Sequence, residues 1–129
     1  VVTGRLQPGR NGFEARLQVQ QVSDLATARC RFGKYLSVQT GARPPEVAKL
    51  LSEYPARRET TDQGEVVHGL RVRLGVQCTA QEDDDAPTVC SAAAAELQLG
   101  DAYRMFPSDA ALAAWAAQAE QGQASIVYD

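Results

Sequence analysis

The sequence predicts an α+β fold: a mostly antiparallel sheet of four to five strands with two short helices packed on one face, in the order ββα-ββα-β. Three observations carry this expectation. From Leu70 to Ala80 every even position is apolar and every odd one is polar or glycine, the two-residue period of a half-buried strand. Two other stretches, Val47 to Tyr54 and Leu112 to Ala119, repeat apolar residues at helical spacing. Between these patterns lie clusters of glycine, proline and short polar residues that break the chain into elements. At 129 residues, 44% hydrophobic and 22% charged, the chain has the size and composition of one ordinary domain, 1–129, with a self-supporting core.

Residues 1–12 hold Gly4, Pro8, Gly9, Asn11 and Gly12 and read as a turn-rich lead-in. Phe13, Ala15, Leu17 and Val19 then alternate with polar neighbours, which predicts a first strand with one wet face. After Ser23-Asp24, the alternation of Ala26, Ala28, Cys30 and Phe32 predicts a second strand, bent at Gly33 and resuming as Tyr35 to Val38, hairpinned to the first. Pro44-Pro45 ends it. Pro45 suits a first helical turn, Glu46 complements the positive end of the dipole, and Val47, Leu50, Leu51 and Tyr54 form the apolar face of a helix that Pro55 stops.

Residues 56–64 are polar and read as a solvated connector or hairpin loop, and Glu65 to Ala80 as the principal strand, with Gly69 and Gly75 as sites of a bulge or twist. Gln81 to Pro87 is an acidic loop. After it, Ala93, Ala95, Leu97 and Leu99 alternate with Ala94, Glu96 and Gln98 and predict a returning strand that runs past Gly100-Asp101 to Phe106. A helix over Ser91 to Leu97 competes with it, because alanine and glutamate are strong helix formers. Ser108 is a good N-cap for a helix through Leu112, Trp115 and Ala119 that Gly122 terminates, and Ala124 to Tyr128 predicts a last short strand.

The three cysteines are Cys30, Cys78 and Cys90. A disulfide between Cys78 and Cys90 would staple the two strands around the acidic loop and stabilise the fold by about 3 kcal/mol. Such bonds persist in oxidising compartments, so the expected location is periplasmic or secreted; three reduced, buried thiols are the alternative. The opening Val1-Val2-Thr3-Gly4-Arg5 has neither an initiator methionine nor a signal-peptide profile, the expectation for a mature or trimmed product. Arginine outnumbers lysine eleven to two, a bias that points to a bacterial gene.

Chemistry is sparse. His68, the single histidine, has no nucleophile or orienting acid beside it by motif and reads as structural. Glu82, Asp83, Asp84 and Asp85 lack the alternating spacing of a calcium loop and read as a solvated hairpin tip or a recognition element. Three separated cysteines and one histidine make no zinc signature, and no phosphate loop or cofactor motif is present. Arg29 and Arg31 on one strand and Arg71 and Arg73 on another form a basic stripe if those strands are neighbours, or else a plain solvated sheet face. The formal charge of −3 and the lack of interleaved aromatics argue against nucleic acid, and no apolar run is long enough to span a bilayer.

The chain is therefore expected to be a non-catalytic binding domain without a cofactor whose partner is another protein, for example an inhibitor or immunity protein acting on a secreted hydrolase or toxin. Glu82, Asp83, Asp84, Asp85, Arg71 and Arg73 are the candidate contact residues. An accessory domain of an envelope assembly (a lipoprotein, secretion or pilus component) is the second reading, and a small-ligand binder or small enzyme with a cleft near His68 the third.

Overall fold

A computed structural model describes residues 1–9, 14–41, 44–81 and 90–129, with backbone alone at 78–81 and 90–92. In chain order the elements are β1 (Val2–Pro8), β2 (Ala15–Val22), α1 (Leu25–Phe32), β3 (Tyr35–Thr40), α2 (Val47–Glu53), β4 (Arg57–Thr61), β5 (Gly64–His68), β6 (Arg71–Gln81), β7 (Cys90–Gln98), α3 (Asp109–Gln118) and β8 (Ala124–Val127). The α+β expectation holds.

The central sheet has the strand order β7-β6-β3-β8. β6 and β7 form the antiparallel hairpin read from the sequence, with Leu74 opposite Leu97 and Val76 opposite Ala95. β3 lies parallel to β6, Leu36 beside Val72 and Val38 beside Leu74, and antiparallel to β8. The sheet is thus mixed, and β3 pairs with none of β2. A parallel pair needs a long crossover, which α2 and the β4–β5 hairpin supply.

The period of two sends Leu36, Val38, Val72 and Leu74 to one face, where they join Leu50 of α2 and Ala111 and Trp115 of α3 in the buried core. Both expected helices pack there. Ser108 caps α3 by accepting from the Ala111 amide at 3.2 Å, and the chain turns back into β8 through Gln121 and Gly122, both at positive φ. The tie between α2 and α3 includes the Glu46 amide donating to Gln118 Oε1 at 2.6 Å.

Five expectations need correction. The lead-in is not a string of turns, because Val2–Pro8 is a strand paired along its length with β2. Residues 25–32 are a helix, not a strand. The Asp24 carboxylate accepts from the Thr27 amide at 2.7 Å, an N-cap that overrides the weak alternation of small residues after it.

The principal strand is two strands broken at Gly69, with β5 turning back on β4, itself a strand where a solvated loop or hairpin turn was expected. The break has a steric cause: a Cβ on Gly69 would stand 2.8 Å from Ala56 Cβ and 3.0 Å from Arg104 Cβ, and the chain passes there so that Leu70 can exchange backbone hydrogen bonds with Met105. Beyond β7 the chain does not continue as a strand to Phe106. It makes a short 3-10 turn at Asp101–Tyr103 and returns to the sheet at Met105 as an isolated bridge.

Candidate functional site

The face of the sheet away from the helices carries no covering element among the described residues. Alternation places Arg71, Arg73 and Gly75 of β6 there, beside Tyr35, Ser37 and Gln39 of β3 and, across the hairpin, Gln98 and Glu96 of β7. Of these, Tyr35, Ser37, Gln39, Arg73, Gly75 and Glu96 line an open groove of about 490 Å³. The Arg73 guanidinium stacks 3.8 Å from the Tyr35 ring centroid, forms an ion pair with Glu96 at 2.9 Å and donates to Gln98 Oε1 at 3.1 Å.

Arg71 grips Asp101 with two bonds, Nε to Oδ1 at 2.6 Å and Nη2 to Oδ2 at 3.0 Å, and Arg104 adds a third at 2.7 Å. These guanidinium groups hold the Asp101 carboxyl below the usual carboxylate range, Arg71 most and Arg104 next. Both arginines that the sequence singles out therefore stand together on one wet face, each already matched by a carboxylate of the chain itself.

The four-arginine stripe does not form, because Arg29 and Arg31 belong to α1. Arg29 runs to α3, where it donates to Asp109 Oδ1 at 2.7 Å and to the Pro107 carbonyl at 3.1 Å. Arg31 donates to Gln21 and lies over Phe32.

His68 ends β5 with its Nε2 3.1 Å from Glu59 Oε2, across the β4–β5 hairpin. It shares a cleft of about 340 Å³ with Cys30, Gln21 and Arg104. Nothing local in the sequence announces that the only histidine and Cys30 line one cleft, since that depends on how α1 is seated. The chemistry there is muted. Partial burial pushes the Cys30 thiol up, the Asp24 charge adds to that, and Arg57 only opposes it. Cys30 also sits in the last turn of α1, where the helix dipole disfavours a thiolate.

The larger departure from expectation is the β1–β2 hairpin. Among the described residues its strands pair with each other and with no other strand. Val1 and Ser23 extend its ladder by exchanging backbone bonds, and Arg31 of α1 ties it to the body by donating to Gln21. The register pairs Leu6 with Leu17, Gly4 with Val19 and, past a bulge that absorbs Gln20, Val2 with Val22.

That bulge shifts the phase of β2 so that Val22 falls on the same face as Val19 and Leu17. One face of the ribbon is consequently an unbroken aliphatic stripe, and the other carries Arg5, Gln7, Arg16 and Gln18. The stripe is bare: Leu6 and Val22 are 74% and 72% exposed, and Val2, Leu17 and Val19 just over half. Sequence reasoning saw only half of it, because glycine and proline in β1 masked the even-position alternation Val2, Gly4, Leu6, Pro8.

Glu82, Asp83, Asp84 and Asp85 lie outside the described residues, as do the side chains of Cys78 and Cys90. The backbone ladder still bears on the expected disulfide. It sets Cys78 opposite Ala93 and Cys90 opposite Gln81, a stagger of three positions along the hairpin. That is about 10 Å, whereas a disulfide needs Cα atoms within about 7 Å, so this register does not allow the bond.

Among the described residues no three His, Cys, Asp or Glu side chains gather as a metal site requires, and no helix is long and apolar enough to cross a membrane. Compared with known protein families, with curated proteins and with solved structures, the chain matches none.

Proposed function

We propose that this chain is a non-catalytic protein-binding domain whose contact element is the β1–β2 ribbon. The observation that carries the proposal is the aliphatic stripe left open on that ribbon. A lone two-stranded hairpin is marginal in water, and a contiguous exposed apolar face of this kind marks a surface that another molecule covers. The clefts support the same conclusion from the other side: the Cys30 thiol is held protonated, His68 is engaged by Glu59, and Arg71 and Arg73 are matched by acids. A broad apolar contact fits an accessory component of an assembly better than a plug for a basic cleft, which would depend on Glu82 to Asp85. A periplasmic or secreted location would need a Cys78–Cys90 bond, which the β6–β7 register opposes, and the thiol count of native protein decides between them.

The experiment compares stable associations of the tagged full chain in its native cells with those of Leu6→Arg/Leu17→Arg and of a variant with serine at 82–85. Loss of association in the ribbon variant is the expected result. An unchanged set in that variant would remove the ribbon from the function, and loss confined to the serine variant would return the role to the acidic loop.

A further inference from the structure

We infer that the cleft between the C-terminal end of α2, the β4–β5 hairpin and the turn at Asp101–Tyr103 binds a small apolar carboxylate. Arg58 holds its charged end, and Leu51, Val67 and Tyr103 line its body. Among the described residues none of the β1–β2 ribbon lines this cleft, so the site stands apart from the role proposed for the ribbon.

The cleft has a volume of about 430 Å³, inside the range of about 300–1,000 Å³ that small-molecule sites occupy. Its walls come from stretches far apart in the chain, and the backbone ties them together. Pro55 and Leu70 both bridge to Met105, Leu70 exchanging hydrogen bonds with it at 2.8 and 3.0 Å, and Arg104 donates to the Gly69 carbonyl at 3.2 Å. A seat built this way loses little binding free energy to ordering. Cross-strand pairing puts Arg58 and Val67 on one face of the hairpin, and both line the cleft, while Arg57 stacks on Phe106 at 3.9 Å. Leu51, Pro55 and Tyr103, which is 58% exposed, supply further apolar surface.

The charges of the cleft decide the class of ligand. Arg58, Arg104 and Asp101 line it. Counting their partners, the guanidinium groups of Arg58, Arg71 and Arg104 meet the carboxylates of Glu65 and Asp101, which leaves one positive charge in excess. Both Asp101 oxygens are occupied, Oδ1 by Arg71 and Arg104 and Oδ2 by Arg71. Among the described residues Arg58 commits only Nη1, to Glu65 at 3.2 Å in an exposed pair of the kind that contributes little, and leaves Nε and Nη2 for a ligand. The Tyr103 hydroxyl adds a donor. Spare donors, apolar walls and one unmatched positive charge suit a single carboxylate on an aromatic or branched aliphatic body. A headgroup of higher charge would meet Asp101 and Glu65 without a second spare cation. The groove on the open sheet face lacks this surplus, because its Arg73 is ion-paired with Glu96 and bonded to Gln98.

The test is titration of the full chain, followed by amide magnetic resonance shifts, with three probes. They are phenylpropionate, N-acetyl-alanyl-phenylalanine, which carries the same headgroup on a chain end, and phenylpropanamide, which lacks the charge. Expected is a dissociation constant of about a millimolar or tighter for at least one acid, with shifts at Leu51, Val67 and Tyr103. Arg58→Gln should weaken it roughly tenfold or more with an unchanged far-UV spectrum, and the amide should be weaker to a similar extent. Lys34→Gln, which removes a cation outside the cleft, should bind as wild type does. Tighter binding of the dipeptide assigns the carboxylate to a polypeptide C-terminus, and tighter binding of phenylpropionate to a free acid; both support the site. Failure of both acids to bind at about 10 mM overturns the inference. An amide that binds as well as the acid, an Arg58→Gln variant that binds as wild type does, or shifts that fall instead along Ser37 and Arg73 also overturns it.

Discussion

Replacing Trp115 with phenylalanine should destabilise the protein far less than its complete burial implies. Trp115 is fully buried between α3 and the sheet, and its indole Nε1 has no hydrogen-bond partner among the described residues. Truncation to alanine removes the whole ring from a packed core and should cost about 3–5 kcal/mol. Phenylalanine leaves a void of roughly 40 Å³, about 1 kcal/mol at the usual cavity coefficient, with a similar loss of transfer free energy. It also removes a buried donor whose unmet desolvation amounts to about 1–3 kcal/mol. The opposing contributions leave Trp115→Phe within about 1 kcal/mol of wild type, by the same bookkeeping.

Urea unfolding followed by far-UV circular dichroism measures the difference, since the substitution deletes the only tryptophan and with it the fluorescence probe. A loss above about 3 kcal/mol at unchanged denaturant slope would refute the reasoning and show that the N–H is satisfied in solution.

Gly33→Ala should destabilise by about 1–3 kcal/mol, because a Cβ there would meet the Arg29 carbonyl at 2.6 Å and Ile126 Cγ2 at 2.9 Å, between the end of α1 and the sheet; a thermal midpoint equal to wild type would show that α1 is not seated there. Asp101→Asn should be less stable than wild type near neutral pH. The Asp101 carboxyl is depressed by Arg71 and Arg104, so its contribution is present above the ordinary carboxylate range and lost as pH falls through the lower folded value. The unfolding midpoints of the two proteins should therefore converge on acidification below about pH 4, and a constant gap would rule out the ion pairs as its source. Cys30, held as a thiol, should alkylate slowly at neutral pH and speed up only above the ordinary thiol range. Intact mass of the non-reduced protein should show three thiols, and a mass two hydrogens lighter would mean that the β6–β7 ladder slips to join Cys78 to Cys90.

The elements that were legible in the sequence are those whose signals lie within a few residues of themselves. Ser108 caps the helix that follows it, Val47, Leu50 and Leu51 repeat at helical spacing, and the even-position run through Val72 and Leu74 alternates without interruption. The strand at Ala93 to Leu97 won over helix propensity because pairing with β6 satisfies its backbone, a tertiary term absent from any local scale. α1 was misread for the opposite reason. Its alternation is made of small residues that suit either period, and the deciding signal was a single carboxylate, Asp24, bonded to Thr27.

By itself the sequence determined the class of fold, the interior of its two main helices and of its central strand, and the poverty of catalytic motifs, since each follows from local periodicity, capping and composition. Tertiary structure alone decided that β3 lies parallel to β6, that Arg71 and Arg73 close on Asp101 and Glu96, that Cys30 and His68 share a cleft, and that a bulge at Gln20 gathers Val2, Leu6, Leu17, Val19 and Val22 into one bare stripe. Register is a relation between strands distant in the chain, set by the free energy of all their contacts at once, and a shift of one residue moves every side chain of a strand to the other face.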